Sequence, residues 1–147
     1  MKLRDLLGIP RPYDMAFANP LSLVAAANRF PQVRFVVPHF GGGFLRETLM
    51  VGAQCENVFV DTSSSNDWMR TQAHPTDLAT VFGRALDVFG AERVLFGTDS
   101  STFPRGYRAD VRDSQLAALS AAGAGDDQVA RVMGGNLTEL LPKLQTA

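Results

Sequence analysis

Cysteine is nearly absent from this 147-residue chain: Cys55 stands alone, so no disulfide can form within it. The opening Met1-Lys2-Leu3-Arg4 does not begin a charged region followed by an apolar one, and with the lone thiol it points to a reducing, cytoplasmic compartment. An excess of one charge sign is missing too. Lys and Arg number 14 against 15 Asp and Glu, a formal net charge of -1, which gives neither nucleic acid nor an anionic membrane an electrostatic handle. The longest apolar runs, such as Phe35-Val36-Val37, fall far short of the ~20 residues that cross a bilayer. No like-charge block, low-complexity tract or strong internal repeat is present, and with 46% hydrophobic residues a disordered chain is excluded. A chain of this size hides ~70% of its unfolded surface, enough for one domain with a real core.

Three short β-branched runs do stand out: Val33 to Val37, Asn57 to Val60 and Arg93 to Phe96. Each is bounded by turn residues and reads as nearly continuous hydrophobic sequence, the pattern of parallel strands covered on both faces. Helical patterns lie between and around them. One runs from about Pro20 through Ala27, with Pro20 at its first position, and a second spans Phe44 to Ala53. A third, Asp77 to Phe89, carries Leu78, Val81, Phe82, Ala85, Leu86 and Phe89 on one stripe before Gly90. Two more cover Asp110 to Ala122 and Asp126 to Met133, followed by a short segment from Leu137 to Leu144. Gly8 to Asn19, with prolines at 10 and 12 and Pro20 just after it, reads as an extended linker. Strand starts recur about every 25 to 35 residues, as βα units require, so the class is α/β with a parallel sheet. Three strands are too few for a complete barrel of about 250 residues, and outer strands left open invite pairing with another chain.

Chemistry in such folds gathers where strands end and helices begin. Those places read Pro38-His39-Phe40-Gly41-Gly42-Gly43, Asp61-Thr62-Ser63-Ser64-Ser65 and Gly97-Thr98-Asp99-Ser100-Ser101. His39 suits a general base or a metal ligand, and equally a hydrogen bond to a neighbouring carbonyl. The glycines after it let the backbone pass close to a ligand. Asp99 suits a cation or a proton transfer, while Asp61 and Asp99 both suit caps and turns, the reading preferred for Asp61. His74 is expected on a surface loop. Cys55 reads as a small buried hydrophobe at a helix end, and Trp68 and Met69 line a pocket or cap the sheet.

Taken together, Phe30-Pro31, Phe35-Val36-Val37-Pro38-His39-Phe40-Gly41-Gly42-Gly43, Asn57-Val58-Phe59-Val60-Asp61-Thr62-Ser63, Phe89-Gly90-Ala91-Glu92-Arg93-Val94-Leu95-Phe96-Gly97-Thr98-Asp99 and Gly135-Asn136 form a connected pattern. From about Asn19 onward the chain resembles the amidohydrolase-2 family, the TIM-barrel metal-dependent hydrolases and decarboxylases related to aminocarboxymuconate semialdehyde decarboxylase. The resemblance implies that His39 ends the sixth barrel strand and handles protons near a metal-bound water. It implies that Asp99 ends the eighth strand, where it binds the metal and orients or deprotonates that water. Asp61-Thr62-Ser63 would end the seventh strand, not a ligand position, and Gly135-Asn136 would start a structural terminal helix. Family members also carry a His-x-His pair after the first strand and a further histidine after the fifth. With only His39 and His74, this chain has neither.

The expectation is therefore an incomplete (β/α)8 TIM barrel: residues 1–147 as a single partial domain, the C-terminal half of the barrel, with 1–19 as an extended N-terminal segment. In complete form it would be a metal-dependent hydrolase or non-oxidative decarboxylase, with zinc or manganese, acting on a small carboxylated or amide-bearing substrate through His39 and Asp99. This chain alone lacks most of the metal ligands. The alternative is a catalytically silent half-barrel that folds as a homo-oligomer through its open strand edges, or serves as an interaction module. A nucleotide-binding domain using Gly41-Gly42-Gly43 as a phosphate cradle ranks last, since neither G-x-G-x-x-G spacing nor a P-loop lysine is present. If metal-free, a partly buried Asp99 would be a liability, so its replacement by Ala is expected to be neutral or stabilising.

Overall fold

Apolar stripes decide where the helices form. Leu78–Phe89 carries Val81, Phe82, Ala85 and Phe89 at helical spacing, and all four are buried. Burial of each large side chain among them is worth ~1.5–3 kcal/mol. Asp77 caps its start by accepting from the Thr80 amide at 2.7 Å. Gly90, whose φ of 66° favours glycine, ends it. The computed structural model describes residues 14–64, 66–101 and 106–141. Along them run α1 (Val24–Arg29), α2 (Leu45–Gln54), α3 (Leu78–Phe89), α4 (Ala109–Ala121), α5 (Asp126–Ala130) and α6 (Asn136–Leu140).

The three β-branched runs form one parallel sheet in the order β1 (Phe35–Val37), β2 (Val58–Asp61), β3 (Val94–Leu95). Phe35 pairs with Val58 and Val37 with Val60, while Val60 pairs with Val94 and Asp61 with Leu95. Val37, Val58, Val60 and Val94 enter the core beside Phe82, Ala85 and Phe89. The strands are shorter than the runs, because Val33, Arg34 and Arg93 lie outside the ladder. The expectation of burial on both faces fails for β1, whose Val36 is 44% exposed. β1 is an edge strand, and among the described residues nothing pairs with its other side.

Polar side chains staple the helices and loops to the sheet. The half-buried Arg93 donates from Nε to the Phe89 carbonyl at 3.0 Å, from Nη2 to that of Val88 at 3.0 Å, and from Nη1 to those of Gly52, Cys55 and Val58 at 3.0, 3.1 and 3.3 Å. Burial lowers its pKa, and Glu56 and Glu92 oppose that shift. Asn57 Nδ2 donates to the carbonyls of Ala27, Phe30 and Val33. Asn136 Nδ2 does the same for Ala91 and Val94 at 2.6 and 2.8 Å, tying α6 to the foot of β3.

Several sequence expectations change in detail. Met15–Ala18 forms a 3-10 turn instead of extended linker, because the Asp14 carboxylate accepts from the Ala16 amide at 2.8 Å and starts it. Residues 1–13 of the expected N-terminal segment lie outside the described residues, as do 142–144 of the last helical segment. Pro20–Leu23 is 3-10 and continues into α1. The helix expected to run to Met133 turns into a π-type stretch at Arg131–Gly135. Cys55 is buried and ends α2, as expected, and His74 is exposed. Among the described residues no helix is long and apolar enough to cross a membrane.

Candidate active site at the carboxyl edge of the sheet

Because the strands are parallel, the loops after β1, β2 and β3 emerge at one edge, and they carry His39, Asp61 with Ser63, and Asp99 respectively. Neighbouring strands lie about 4.8 Å apart, so the ends of β1 and β3 are separated by roughly 10 Å across β2. Among the described residues no hydrogen bond links His39 to Asp99.

His39 is the more constrained of the two. It and Phe40 both occupy the left-handed region, with φ of 59° and 51°. Such a conformation costs a non-glycine residue roughly 1–2 kcal/mol and persists only where surroundings enforce it. Here the Gly41 amide donates to the Pro38 carbonyl at 2.9 Å and the Gly42 amide to that of His39 at 2.8 Å, closing the turn. Phe40 anchors it: its ring is fully buried, edge-on to Phe82 with centroids 5.2 Å apart and 6.5 Å from Trp68. Trp68 therefore packs on the core rather than lining an open pocket. Glycines at 41, 42 and 43, all at positive φ, let the chain leave this turn for α2.

The ring of His39 is held from β2. Its Nδ1 lies 2.9 Å from Ser63 Oγ and 3.2 Å from the Ser63 carbonyl. Asp61 Oδ1 accepts from the Ser63 amide at 2.7 Å, from the Ser63 hydroxyl, and from the His39 amide at 3.3 Å. The bond to the Ser63 amide is the turn role that the sequence suggested for Asp61. The reach across to His39, 22 residues away, is what sequence reasoning missed. The spacing of Asp61 and Ser63 marks only the local turn, and the bond to His39 has no local signal because it depends on the pairing of Val37 with Val60. Nε2 of His39 has no hydrogen-bond partner among the described residues. His39 also lines a cleft of about 490 Å³ with Phe17, Pro20, Leu23, Val36 and Gly42, beside the open edge of β1.

Behind these loops lies a second clamp. Gln115 of α4, fully buried, donates from Nε2 to the carbonyls of Thr62 at 3.0 Å and Gly97 at 2.8 Å, and Thr62 Oγ1 donates to its Oε1 at 2.5 Å. Gly97 must be glycine, since a Cβ there would sit 2.8 Å from Ser63 Cβ.

Asp99 is exposed and left-handed, with φ 53°. The partly buried carboxylate that the sequence suggested is not found. No hydrogen bond to Asp99 occurs among the described residues, and its visible electrostatic partner is Arg108, whose guanidinium is held further above its usual pKa by a hydrogen bond to Asp110 and by attraction to Asp99. Asp110 in turn falls to about 2 under the Arg108 hydrogen bond.

These donors do not make a metal centre by themselves. Among the described residues no three His, Cys, Asp or Glu side chains are grouped to hold an ion. The Nδ1 of His39 is engaged with Ser63, whereas a catalytic zinc takes three protein ligands. The residues present do not fit a complete zinc or manganese site.

Comparison with known proteins agrees with the architecture. Two crystal structures of an amidohydrolase from Burkholderia multivorans, one with bound zinc and one with bound HEPES, superpose with TM-scores of 0.62 and 0.63 at 19% identity. Each match covers 83% of this chain and 49% of the other, so the chain spans about half the length of these structures and has the fold of that half. No curated protein matches the chain. The amidohydrolase family model matches residues 8–143. Nearly the whole sequence fits one family pattern, and its parallel sheet carries the corresponding fold: the chain belongs to the amidohydrolase family.

Proposed function

We propose that this chain supplies the proton-handling part of an amidohydrolase-type site, one that hydrolyses or non-oxidatively decarboxylates a small carboxylated or amide-bearing compound. One observation supports this reading: His39 is held through Nδ1 to Ser63, while its Nε2 has no hydrogen-bond partner among the described residues and the residue lines the cleft beside β1. A neutral imidazole so held accepts a proton from water or substrate at Nε2 and returns it to the leaving group. Asp99, at the end of β3, contributes a carboxylate to the same edge, where it orients a bound group or, in a fuller donor set than these residues supply, holds a zinc or manganese ion.

A second reading is favoured by the incomplete donor set and by Val36, 44% exposed on the unpaired edge of β1. It is a silent half-barrel that pairs with a second copy through that edge. One experiment separates the two. The chain is assayed against small amides and small carboxylic acids, with and without added Zn²⁺ or Mn²⁺, while light scattering gives its mass. The enzyme reading expects turnover that falls at least 100-fold in His39→Gln and is unchanged in His74→Gln. Turnover that ignores His39→Gln, or no turnover under any condition from a stable dimer, overturns it.

A further inference from the structure

We infer that Asp61 and Ser63 are positioning residues that fix the tautomer of His39, placing its proton on Nδ1 and its lone pair on Nε2. The argument is a count of protons. Ser63 has one hydroxyl hydrogen, and Asp61 Oδ1, which accepts it, has no hydrogen to return while ionised. The Ser63 oxygen is then left to accept, so the group facing it at 2.9 Å must donate, and that group is Nδ1. The backbone carbonyl of Ser63 decides the matter independently. At 3.2 Å from the same nitrogen it can only accept, so a lone pair on Nδ1 would meet a carbonyl oxygen. Both acceptors share one N–H, and the relay runs from His39 Nδ1–H to Ser63 Oγ–H to Asp61.

A histidine free in water prefers the other tautomer, with its proton on Nε2. The relay reverses that preference, and it does so with buried parts: Ser63 is 6% exposed. The same carboxylate oxygen also accepts from the His39 amide at 3.3 Å, so Asp61 holds both the backbone and, through Ser63, the ring. When Nε2 takes a proton, the Nδ1 proton stays where it is. The resulting imidazolium then donates to a hydroxyl that is itself hydrogen-bonded to a carboxylate, and no proton passes to Asp61. Gly97 completes the arrangement, since a larger residue there would press on Ser63.

The functional meaning rests on the reading of His39 as a proton acceptor, but the test needs no turnover. Long-range proton–nitrogen NMR of the full chain, at a pH where both histidines are neutral, resolves only two rings, and the exposed His74 serves as the internal reference. The expected spectrum gives His39 a pyrrole-type Nδ1 and a pyridine-type Nε2, while His74 shows the opposite majority. Ser63→Ala, which removes the hydroxyl and keeps the carbonyl of residue 63, should lower the Nδ1–H share of His39 toward the mixture seen at His74 without reaching it. Asp61→Asn, whose amide can donate to Ser63 and turn the hydroxyl toward Nδ1, should raise the Nε2–H share of His39 against the pull of the Ser63 carbonyl. Ser63→Thr should keep the parent pattern. A pyridine-type Nδ1 in the parent protein overturns the inference without any variant, and so does a pattern that survives both Ser63→Ala and Asp61→Asn. The stated tautomer together with turnover that ignores His39→Gln would sink the proposed function and leave this inference standing.

Discussion

Replacing Gln115 by Met keeps the length and volume of the side chain and removes its amide. In the parent, that amide is the only hydrogen-bond partner of the Thr62 and Gly97 carbonyls among the described residues, and it accepts from Thr62 Oγ1. Methionine leaves two carbonyls without a donor, that of Thr62 buried and that of Gly97 partly buried, each costing ~1–3 kcal/mol with Gly97 at the low end, while Thr62 Oγ1 keeps its bond from the Gly97 amide. Improved transfer of an apolar side chain offsets part of this. The net expectation is a loss of about 3 kcal/mol, a fall in Tm of roughly 6–12 °C for a chain of this size. Urea unfolding followed by circular dichroism reads it as a lower midpoint at unchanged slope. The damage should also be local: amide resonances of Ser63 and Thr98, next to the freed carbonyls, should move more than those of α1. A loss below about 1 kcal/mol would refute the reasoning, because those carbonyls would then have other donors and Gln115 would not be what joins the loops after β2 and β3.

Two further outcomes follow from the same geometry. Asp99 sits at φ 53° with its side chain exposed, so Asp99→Gly should stabilise the fold by about 1 kcal/mol and Asp99→Ala should not, the attraction to Arg108 being a surface effect of small size; a urea series that ranks Ala above Gly would contradict this. Asp77 is held below its ordinary pKa, chiefly by the Thr80 amide and then by the Thr80 hydroxyl. The folded value lies below the unfolded one, so the contribution of Asp77 is full above the unfolded pKa of about 3.9 and is lost as pH falls through the folded one. Asp77→Ala should therefore lower the urea midpoint at pH 7, with a gap that narrows as the pH falls below about 3.9, and a gap of the same size at every pH would rule out the charged cap.

What could be read from the sequence was what repeats locally. β-branched runs between turn residues gave three parallel strands, and the stripe from Leu78 to Phe89 gave α3 with its glycine stop. His39 and Asp99 could be placed at the carboxyl edge because parallel order alone puts them there. Three features depend on partners far along the chain. Asp61 satisfies a local turn with Ser63, which any sequence reading finds, but its bond to the His39 amide exists only because Val37 pairs with Val60 and sets the two loops side by side. Val36 reads as core by composition and is exposed because β1 lies at the edge. Asp99 reads as partly buried, and is not, because its backbone turns left-handed between Thr98 and Ser100.

That last residue and His39 break the same backbone rule under different constraints. At His39 the strain is enforced from three directions: the turn closed onto Pro38, the buried ring of Phe40, and Asp61 and Ser63 from the next strand. A ring held this way keeps its orientation before any substrate arrives, which is what a proton acceptor needs, since misplacement of even 1 Å is costly in rate. At Asp99 the hold comes from its neighbours. Thr98 is buried, its hydroxyl lies 2.5 Å from that of Ser100, and the Arg108 amide donates to Ser100 Oγ at 2.9 Å. Those bonds fix the backbone on either side and leave the carboxylate itself without a hydrogen bond among the described residues. The histidine arm is thus built to a set geometry within this chain, whereas the aspartate is offered on a fixed backbone with no hydrogen bond to its carboxylate among the described residues and only the attraction of Arg108. An oxygen ligand for a cation, or an orienting group for water, takes its final direction from what it binds, so under the proposed function the two arms would divide as an acceptor that must be aimed in advance and a ligand that need not be.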